Sequence, residues 1–146
     1  MAFEIRECTN TETAKALFQE YATIKGAESC FVSFGEELAD IAGFYAGGAV
    51  LIGWSDDAPA ACVAIKKKDG THCEAKRLFV KPEFRGNGYA RAMMNAMLDR
   101  ARALGFSEVS FTTKPSVMRT AYGLYKRMGF VETGEKDGIV SMKMDL

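Results

Sequence analysis

The sequence lacks an excess of charge of either sign. Its 19 lysine and arginine side chains are matched by 19 aspartate and glutamate side chains, so the formal net charge at pH 7 is +0. A general nucleic-acid-binding protein needs a basic surface that neutralises phosphates. The neutral balance argues against this class of protein, and we expect no nucleic-acid partner.

Long apolar runs are missing as well. No run approaches the roughly 20 residues that a helix needs to cross a bilayer. The N-terminal segment MAFEIRECTN also lacks the charged and then apolar order of a secretory signal. We therefore expect a cytoplasmic protein without a membrane partner.

Residues that bind metals are scarce. His72 is the only histidine, and the four cysteines include no pair with CxxC spacing. Structural metal sites rely on cysteine and histidine ligands repeated at short spacing. We expect no metal cofactor, and we interpret the cysteines as free and mostly buried thiols.

The composition is that of one packed domain. The 146 residues suit a single domain over residues 1–146, and 48% of them are apolar. Residues 3–7 alternate apolar and polar side chains, which predicts a short strand. Thr9 or Asn10 is expected to cap the helix that follows.

A second helix is predicted from a capping box. Ser33 and Glu36 have the required spacing, and apolar side chains continue at helical spacing as far as Tyr45. After the glycines at 47 and 48 the apolar pattern changes from that of helices to that of strands.

Residues 49–81 predict a three-stranded antiparallel meander with tight turns at 56–59 and 69–70. The later elements are a helix (88–104), a strand (108–112), a helix (116–128) and two strands (130–131 and 139–144). The complete order, β-α-α-β-β-β-α-β-α-β-β, indicates an α/β (α+β) domain with a mixed sheet.

A glycine-rich loop joins the third meander strand to the following helix. Residues 85–90 read RGNGYA, and the first amides of a helix lack intrahelical acceptors and lie at the positive end of its dipole. Gly86 and Gly88 allow close approach to the backbone, and Arg85 and Arg91 add positive charge. The loop is a candidate phosphate site, although an isolated G-x-G is usually an ordinary turn.

Two common phosphate-binding motifs do not fit this loop. A dinucleotide fingerprint needs a third glycine at the position of Arg91, and a P-loop needs a Gly-Lys-Ser/Thr tripeptide that the sequence does not have here. From the residues alone, the phosphorylated ligand stays open.

Two separated motifs resemble those of the Gcn5-related N-acetyltransferase (GNAT) family. Its cofactor loop reads Arg/Gln-x-x-Gly-x-Gly/Ala, and residues 85–90 match every fixed position. Residues 78–84 (LFVKPEF) resemble the strand before that loop, and residues 121–130 (AYGLYKRMGF) resemble the late helix A-x-x-L-Y-x-x-x-G-F. The resemblance covers nearly the whole chain and implies a mainly antiparallel mixed sheet flanked by helices.

The resemblance implies an N-acetyltransferase with acetyl-CoA as its co-substrate. In the family, the pantetheine lies along the strand before the loop like an added strand, and the pyrophosphate meets the loop amides. Carried over, the Leu78 N–H polarises the thioester carbonyl. The expected cofactor contacts are Leu78, Phe79, Val80, Arg85, Gly86, Asn87, Gly88, Tyr89, Ala90 and Arg91.

The resemblance also implies catalytic side chains. An amine must lose a proton before it attacks the thioester, and Glu74 has the position of the catalytic glutamate of histone-acetyltransferase-type relatives. Its strand parity predicts a shared face with Lys76 and Leu78. Tyr125 has the position of the tyrosine that reprotonates the CoA thiolate, with Tyr122 as a weaker alternative. The structural alternatives are a salt-bridged carboxylate and a core tyrosine.

One position departs from the family pattern. Met118 stands where the family commonly has an asparagine that contacts the cofactor. Thr112, Thr113 and Ser116 are the candidates to supply that hydrogen bond instead, and its absence is the other alternative.

The acceptor side is less defined. Lys76 is a candidate contact for an acidic group of the acceptor, or, with Arg77, a surface or phosphate-neighbouring charge. Residues 30–34 (CFVSF) are expected to wall the acceptor site. The resemblance implies a small-molecule or peptide amine as acceptor, and it makes a homodimer through the C-terminal strands one expected assembly.

Two other functions stay open. The chain can be a non-catalytic acyl-CoA-binding or regulatory module on the same fold, which would bind acetyl-CoA without turnover. It can also bind a nucleotide or another phosphorylated metabolite at the loop. Glu74 and Tyr125 favour catalysis.

Overall fold

The computed structural model describes residues 2–24 and 33–146. Its strands are β1 (Phe3–Glu7), β2 (Ala49–Ser55), β3 (Ala58–Lys67), β4 (His72–Val80), β5 (Glu108–Thr113), β6 (Val131–Lys136) and β7 (Ile139–Asp145). Its helices are α1 (Thr11–Ala22), α2 (Phe34–Ala39), α3 (Ile41–Phe44), α4 (Tyr89–Ala103) and α5 (Arg119–Met128), with a 3₁₀ turn at Pro82–Phe84.

The described strands form one seven-stranded sheet in the order β1-β2-β3-β4-β5-β7-β6. Each neighbouring pair is antiparallel except β4 and β5, which are parallel. The predicted meander of β2, β3 and β4 is therefore confirmed, and so is the fold class, a mixed and mainly antiparallel sheet flanked by helices.

Apolar cores cover both faces of the sheet. Along β3, Ala61 and Val63 belong to the core under α4 and α5, whereas Cys62 and Ala64 belong to the core under α1 and α3. Because neighbouring residues of a strand point to opposite faces, β3 is buried on both sides. This explains its continuous apolar run, and it places α1 opposite α4 across the sheet.

The first helix begins as predicted. Asn10 is its N-cap, and the side-chain oxygen of Asn10 accepts a hydrogen bond from the Glu12 N–H at 3.0 Å. No helix in the described part of the chain is long and apolar enough to cross a membrane.

The predicted second helix is wrong in two respects. Ser33 precedes α2 with a left-handed φ of 59° and makes no capping hydrogen bond with its side chain. The helix is also broken at Asp40, whose φ of −152° lies outside the helical region. The Asp40 carboxylate accepts a hydrogen bond from the Gly43 N–H at 3.0 Å and so caps a separate short helix, α3.

The last helix starts later than the sequence predicts. The Lys114 carbonyl accepts hydrogen bonds from the N–H groups of Val117 and Met118, both at 2.9 Å, and these close a turn after β5. Met118 has a φ of −123° and a ψ of 55°, so α5 begins only at Arg119 rather than at Ser116.

Candidate active site

The parallel ladder between β4 and β5 is short. It ends at the pair formed by Glu74 and Ser110. Beyond this pair β4 continues to Val80 with β3 as its partner, while β5 continues to Thr113 with β7. The two strands therefore separate, and a cleft opens between them.

Successive backbone N–H and C=O groups of β4 point alternately toward β3 and away from it, and this alternation shifts along the strand. The Lys68 N–H donates to the His72 carbonyl at 3.0 Å, so the even-numbered residues direct their backbone groups to β3 in the first half. The Lys81 N–H donates to the Ala60 carbonyl at 2.9 Å, so the odd-numbered residues do so at the end. The alternation must shift once in between.

The shift occurs at a β-bulge. The register places Arg77 and Leu78 of β4 opposite the single residue Val63 of β3, and Arg77 has a left-handed φ of 62°. Without the extra residue, Leu78 would direct its N–H to β3. With it, the Leu78 N–H points to the side on which β4 has separated from β5.

The bulge corrects the expectation that Glu74, Lys76 and Leu78 share one face. Leu78 packs with Cys73 and Ala75 against the core under α4. Glu74 and Lys76 alternate with Cys73 and Ala75, and they point to the opposite face, where their charged groups lie 3.9 Å apart. Counting parity from the sequence misses the extra residue and shifts every later side chain by one position.

Arg77 is neither a surface charge nor a neighbour of the phosphate loop, contrary to the sequence expectation. Its side chain is 3% exposed, and it forms a salt bridge of 2.6 Å to Glu37 of α2. The bulge directs the Arg77 side chain away from solvent, to the face of the sheet that α1 and α3 cover.

The loop after β4 presents free amides. Gly86 and Gly88 have φ values of 84° and 78°, which residues with side chains disfavour. In this described segment, the N–H groups of residues 86–91 donate neither to a backbone carbonyl nor to a capping side chain. They lie at the positive end of the α4 dipole, an arrangement that favours an anion.

The side chains of this loop fold back on its own backbone. Arg85 donates through Nε to the Val80 carbonyl at 2.9 Å, and Asn87 donates through Nδ2 to the Phe84 carbonyl at 3.0 Å. Along the chain, the free amides of this loop come directly after the open edge of β4.

The remaining predicted cofactor residues have different surroundings. The Tyr89 ring stacks on Phe3 of β1 with 3.8 Å between centroids, which fixes the start of α4. Arg91 is exposed. The side chains of Phe79 and Val80 are buried, so these two residues can offer a cofactor only their backbone groups.

The separation of the strands brings the predicted catalytic residues into one cleft of about 50 Å³. Glu74 and Leu78 of β4 line it, as does Tyr125 of α5. Tyr21 of α1 and Met94 of α4 line it too, and the sequence analysis did not select them as site residues. Both belong to the apolar stripes of their helices, and only the packing of α1 and α4 on the sheet brings them to the cleft.

Tyr125 is a buried phenol. It is 6% exposed, and its ring centroid lies 4.4 Å from that of Phe111. Burial raises the pKa of the Tyr125 hydroxyl above its ordinary value of 10, and the neighbouring Tyr21 raises it further. The hydroxyl makes no hydrogen bond within the described residues, and it is protonated at neutral pH.

Tyr122, the weaker alternative, lies outside the cleft. Its hydroxyl donates to the Glu132 carboxylate on β6, and the Lys126 ammonium lies 5.1 Å from its ring centroid. These contacts place it in a surface cluster.

Met118, which stands at the position of the family's asparagine, contacts Tyr21 in this structure. Its Sδ accepts a hydrogen bond from the Tyr21 hydroxyl at 3.1 Å. Among the candidate replacements, Ser116 and Thr112 are exposed, whereas Thr113 is 3% exposed. Thr113 lines the cleft, and its Oγ1 is the one buried side-chain oxygen or nitrogen without a partner in the described residues.

The predicted wall of the acceptor site is described only in part. Residues 30–32 lie outside the described residues. Phe34, at the start of α2, lies beside the buried salt bridge, with its ring centroid 5.4 Å from the Arg77 guanidinium carbon.

Comparison with known proteins identifies the family. Residues 7–130 match the Acetyltransferase (GNAT) family. An uncharacterised N-acetyltransferase of Schizosaccharomyces pombe is 32% identical over 123 residues, which cover 82% of this chain and 75% of the relative. The chain therefore belongs to the GNAT family of acetyltransferases, as the two motifs predicted.

Solved structures confirm the fold. A GNAT-family acetyltransferase from Staphylococcus aureus superposes with a TM-score of 0.82 at 15% identity, covering 99% of each chain. The PaiA N-acetyltransferase of Thermoplasma acidophilum, solved in complex with coenzyme A, gives a TM-score of 0.77 at 12% identity and covers 100% of both chains. At these identities the likeness concerns the fold alone.

We expect Tyr125 to contribute to alkaline destabilisation. The folded chain retains the phenol proton, whereas the unfolded chain releases it near the ordinary pKa of 10. This contribution to stability is complete below that pH and is lost as the pH rises above it, by up to about 1.4 kcal/mol per pH unit. Thermal melts from about pH 9 to about pH 11 should therefore show a smaller loss for Tyr125→Phe than for the wild type.

The matched control is Tyr89→Phe, which removes a hydroxyl and keeps the half-buried ring that stacks on Phe3. It should retain the alkaline loss of the wild type. An equal loss in the wild type and in Tyr125→Phe would contradict the burial of the Tyr125 hydroxyl.

Proposed function

We propose that the chain transfers the acetyl group of acetyl-CoA to a primary amine by direct attack in a ternary complex. The observation that carries this proposal is the continuity of free backbone groups from the open edge of β4 to the loop amides at 86–91. An extended pantetheine can pair with the first, and a pyrophosphate can bind the second.

The cofactor would be held mainly by backbone. The amides of residues 86–90 would receive the pyrophosphate, and Arg85 and Arg91 would supply charge near it. The backbone groups of residues 78–80 would pair with the pantetheine. The Leu78 N–H, directed outward by the bulge, would polarise the thioester carbonyl, a contact worth roughly 3–4 kcal/mol in acyl transfer.

The chemistry moves protons away from the amine and onto the thiolate. Glu74 accepts a proton from the protonated amine through water, and the neutral nitrogen then attacks the thioester carbon. As the C–N bond forms, the nitrogen releases its second proton to solvent. The tetrahedral intermediate then collapses with cleavage of the C–S bond, and Tyr125 donates its proton to the departing thiolate. The location of both side chains in one cleft supports these roles.

Lys76 offers a contact for the acceptor. Its ammonium lies 3.9 Å from the Glu74 carboxylate at the same cleft. An acidic group on the acceptor would bind Lys76 while the amine approaches Glu74. We expect the acceptor to be a small molecule or a peptide, and the setting to be cytoplasmic.

Binding of acetyl-CoA is the first test of this function. At about a hundredfold excess over Kd, acetyl-CoA should stabilise the protein by about 2.7 kcal/mol and raise the melting temperature by on the order of 10 °C. Gly88→Glu should abolish the rise, because its carboxylate would occupy the anion site.

The chain offers a closely matched control. Gly138 lies in the turn between β6 and β7 with the same φ of 78° as Gly88, and neither position has an atom within 4 Å of an added Cβ. Gly138→Glu therefore introduces the same backbone strain and charge but should leave the acetyl-CoA response intact. Stabilisation by ATP or NAD without stabilisation by acetyl-CoA would overturn the assignment.

Turnover tests the catalytic roles. We expect Tyr125→Phe and Glu74→Gln each to lower kcat by on the order of 10²-fold in an assay of CoA release with a panel of amines, because each removes a proton-transfer group. Both variants should bind acetyl-CoA with nearly unchanged Kd, since the proposed cofactor contacts are made by backbone. Stabilisation by acetyl-CoA without CoA release from any amine would favour the non-catalytic binding module.

Thr113 should show effects of opposite sign on stability and on binding. We expect its unpartnered hydroxyl to replace the missing asparagine contact to the cofactor. Thr113→Val removes a buried polar atom without a partner, so the free protein should be as stable as the wild type or about 1 kcal/mol more stable. The affinity for acetyl-CoA should fall about fivefold.

Thermal melts and calorimetry measure the two effects separately. Thr112→Val and Ser116→Ala test the other candidates. A loss of affinity in one of these variants, without a loss in Thr113→Val, would transfer the contact to that residue.

A further inference from the structure

We propose that the buried pair of Glu37 and Arg77 is a positioning device that holds the bulge of β4 and thereby directs the Leu78 amide into the cleft. The inference rests on the proposed function, because it gives that amide its use. It concerns residues that lie far apart in the sequence and that form no part of the cofactor loop.

The pair is fully enclosed and geometrically specific. Glu37 is 0% exposed. The Arg77 guanidinium donates through Nε to Glu37 Oε2 at 2.9 Å and through Nη2 to Oε1 at 2.6 Å. Two parallel hydrogen bonds fix the guanidinium plane as well as its distance, which a single ammonium contact cannot do.

Tyr45, the residue that follows α3, also binds the Glu37 carboxylate. The Tyr45 hydroxyl donates to Glu37 Oε2 at 2.7 Å, and Tyr45 is 3% exposed. The carboxylate thus receives three hydrogen bonds from two elements. Two of them come from Arg77, and the third, from Tyr45, ties the carboxylate to a part of the chain outside β4.

The backbone of Arg77 needs such a support. A left-handed conformation is strained for a residue with a side chain, because the Cβ approaches the following carbonyl oxygen. The Arg77 carbonyl is held as well, since it accepts a hydrogen bond from the buried Cys62 thiol at 3.2 Å. Hydrogen bonds therefore hold both the side chain and the carbonyl of Arg77, the residue at which the backbone alternation of β4 shifts.

Loss of the bulge would have a definite consequence for the cleft. A regular β4 would direct the Leu78 N–H to β3, where a backbone carbonyl would accept it. The amide would then no longer face a bound thioester. The packing of Phe79, whose ring stacks on Tyr21 at 5.3 Å between centroids, also depends on the shift, so the test must separate the pair from general packing.

The main variant replaces the pair by apolar residues of similar size, Glu37→Leu with Arg77→Met. Such replacements of buried pairs are often neutral or stabilising, whereas removal of one partner leaves an uncompensated charge. The second variant, Glu37→Leu with Arg77→Gly, keeps a residue that adopts a φ of 62° without strain. Both variants also carry Tyr45→Phe, because the buried Tyr45 hydroxyl would otherwise lose its acceptor. The matched control removes an exposed pair, Glu4→Leu with Arg6→Met, whose charged groups lie 3.1 Å apart.

The first measurement needs no ligand. Hydrogen exchange followed by NMR should show fast exchange of the Leu78 amide in the wild type and in the control, because the amide points to the open edge. In the Arg77→Met variant we expect the exchange to slow by about tenfold or more, because the amide turns to β3 and gains an acceptor. In the Arg77→Gly variant the exchange should stay fast, because glycine keeps the left-handed φ without the pair.

The second measurement compares two ligands by calorimetry. CoA and acetyl-CoA share the loop contacts, and only acetyl-CoA carries the thioester carbonyl. In the Arg77→Met variant the preference for acetyl-CoA over CoA should fall roughly three- to tenfold, whereas the Arg77→Gly variant and the control should keep the preference of the wild type.

Unchanged exchange of Leu78 together with an unchanged ligand preference in the Arg77→Met variant would overturn the inference and assign the pair a role in stability alone. Equal slowing in the Arg77→Gly variant would also overturn it, because the change would then come from lost packing. Failure of the proposed function is a different result. In that case the wild type itself binds neither CoA nor acetyl-CoA, and the inference falls with the function even if exchange of the amide slows.

Discussion

The site depends on the early end of the parallel ladder between β4 and β5. Backbone N–H and C=O groups that are withdrawn from water need partners, and β4 loses its partner on this side after Glu74. An extended ligand can supply those partners in the manner of an added strand. The glycine loop continues the same row of donors to the start of α4, so one stretch of backbone would hold both the pantetheine and the pyrophosphate in the proposed function.

The separation of the strands also decides which side chains meet. Residues from both faces of the sheet reach the cleft, because the gap interrupts the sheet itself. Tyr21 comes from the α1 face, whereas Met94 and Tyr125 come from the face covered by α4 and α5. The pairing of β5 with β7 holds the far wall of the cleft, where Thr113 presents its unpartnered hydroxyl.

Much of the fold could be predicted from the sequence, since the helices and strands have clear periodicity. Asn10, one of the two predicted caps of α1, is its N-cap, and the meander and α4 were predicted correctly. The break at Asp40 and the start of α5 were not, because each depends on one local hydrogen bond that competes with a helical pattern. Within the site, Glu74 and Tyr125 were selected by motif position, and their catalytic roles stay predictions.

By itself the sequence determined the family, the glycine-rich loop before α4 and, apart from the division of the second helix, the order of elements, because these depend on local conformation and on short motifs. Only the tertiary structure decided the bulge at Arg77, the outward direction of the Leu78 amide and the burial of the Glu37 pair. A strand pattern records polarity at each position but does not record an extra residue relative to the neighbouring strand. The partner that stabilises that extra residue lies forty positions away, and only packing of α2 against the sheet brings the two together.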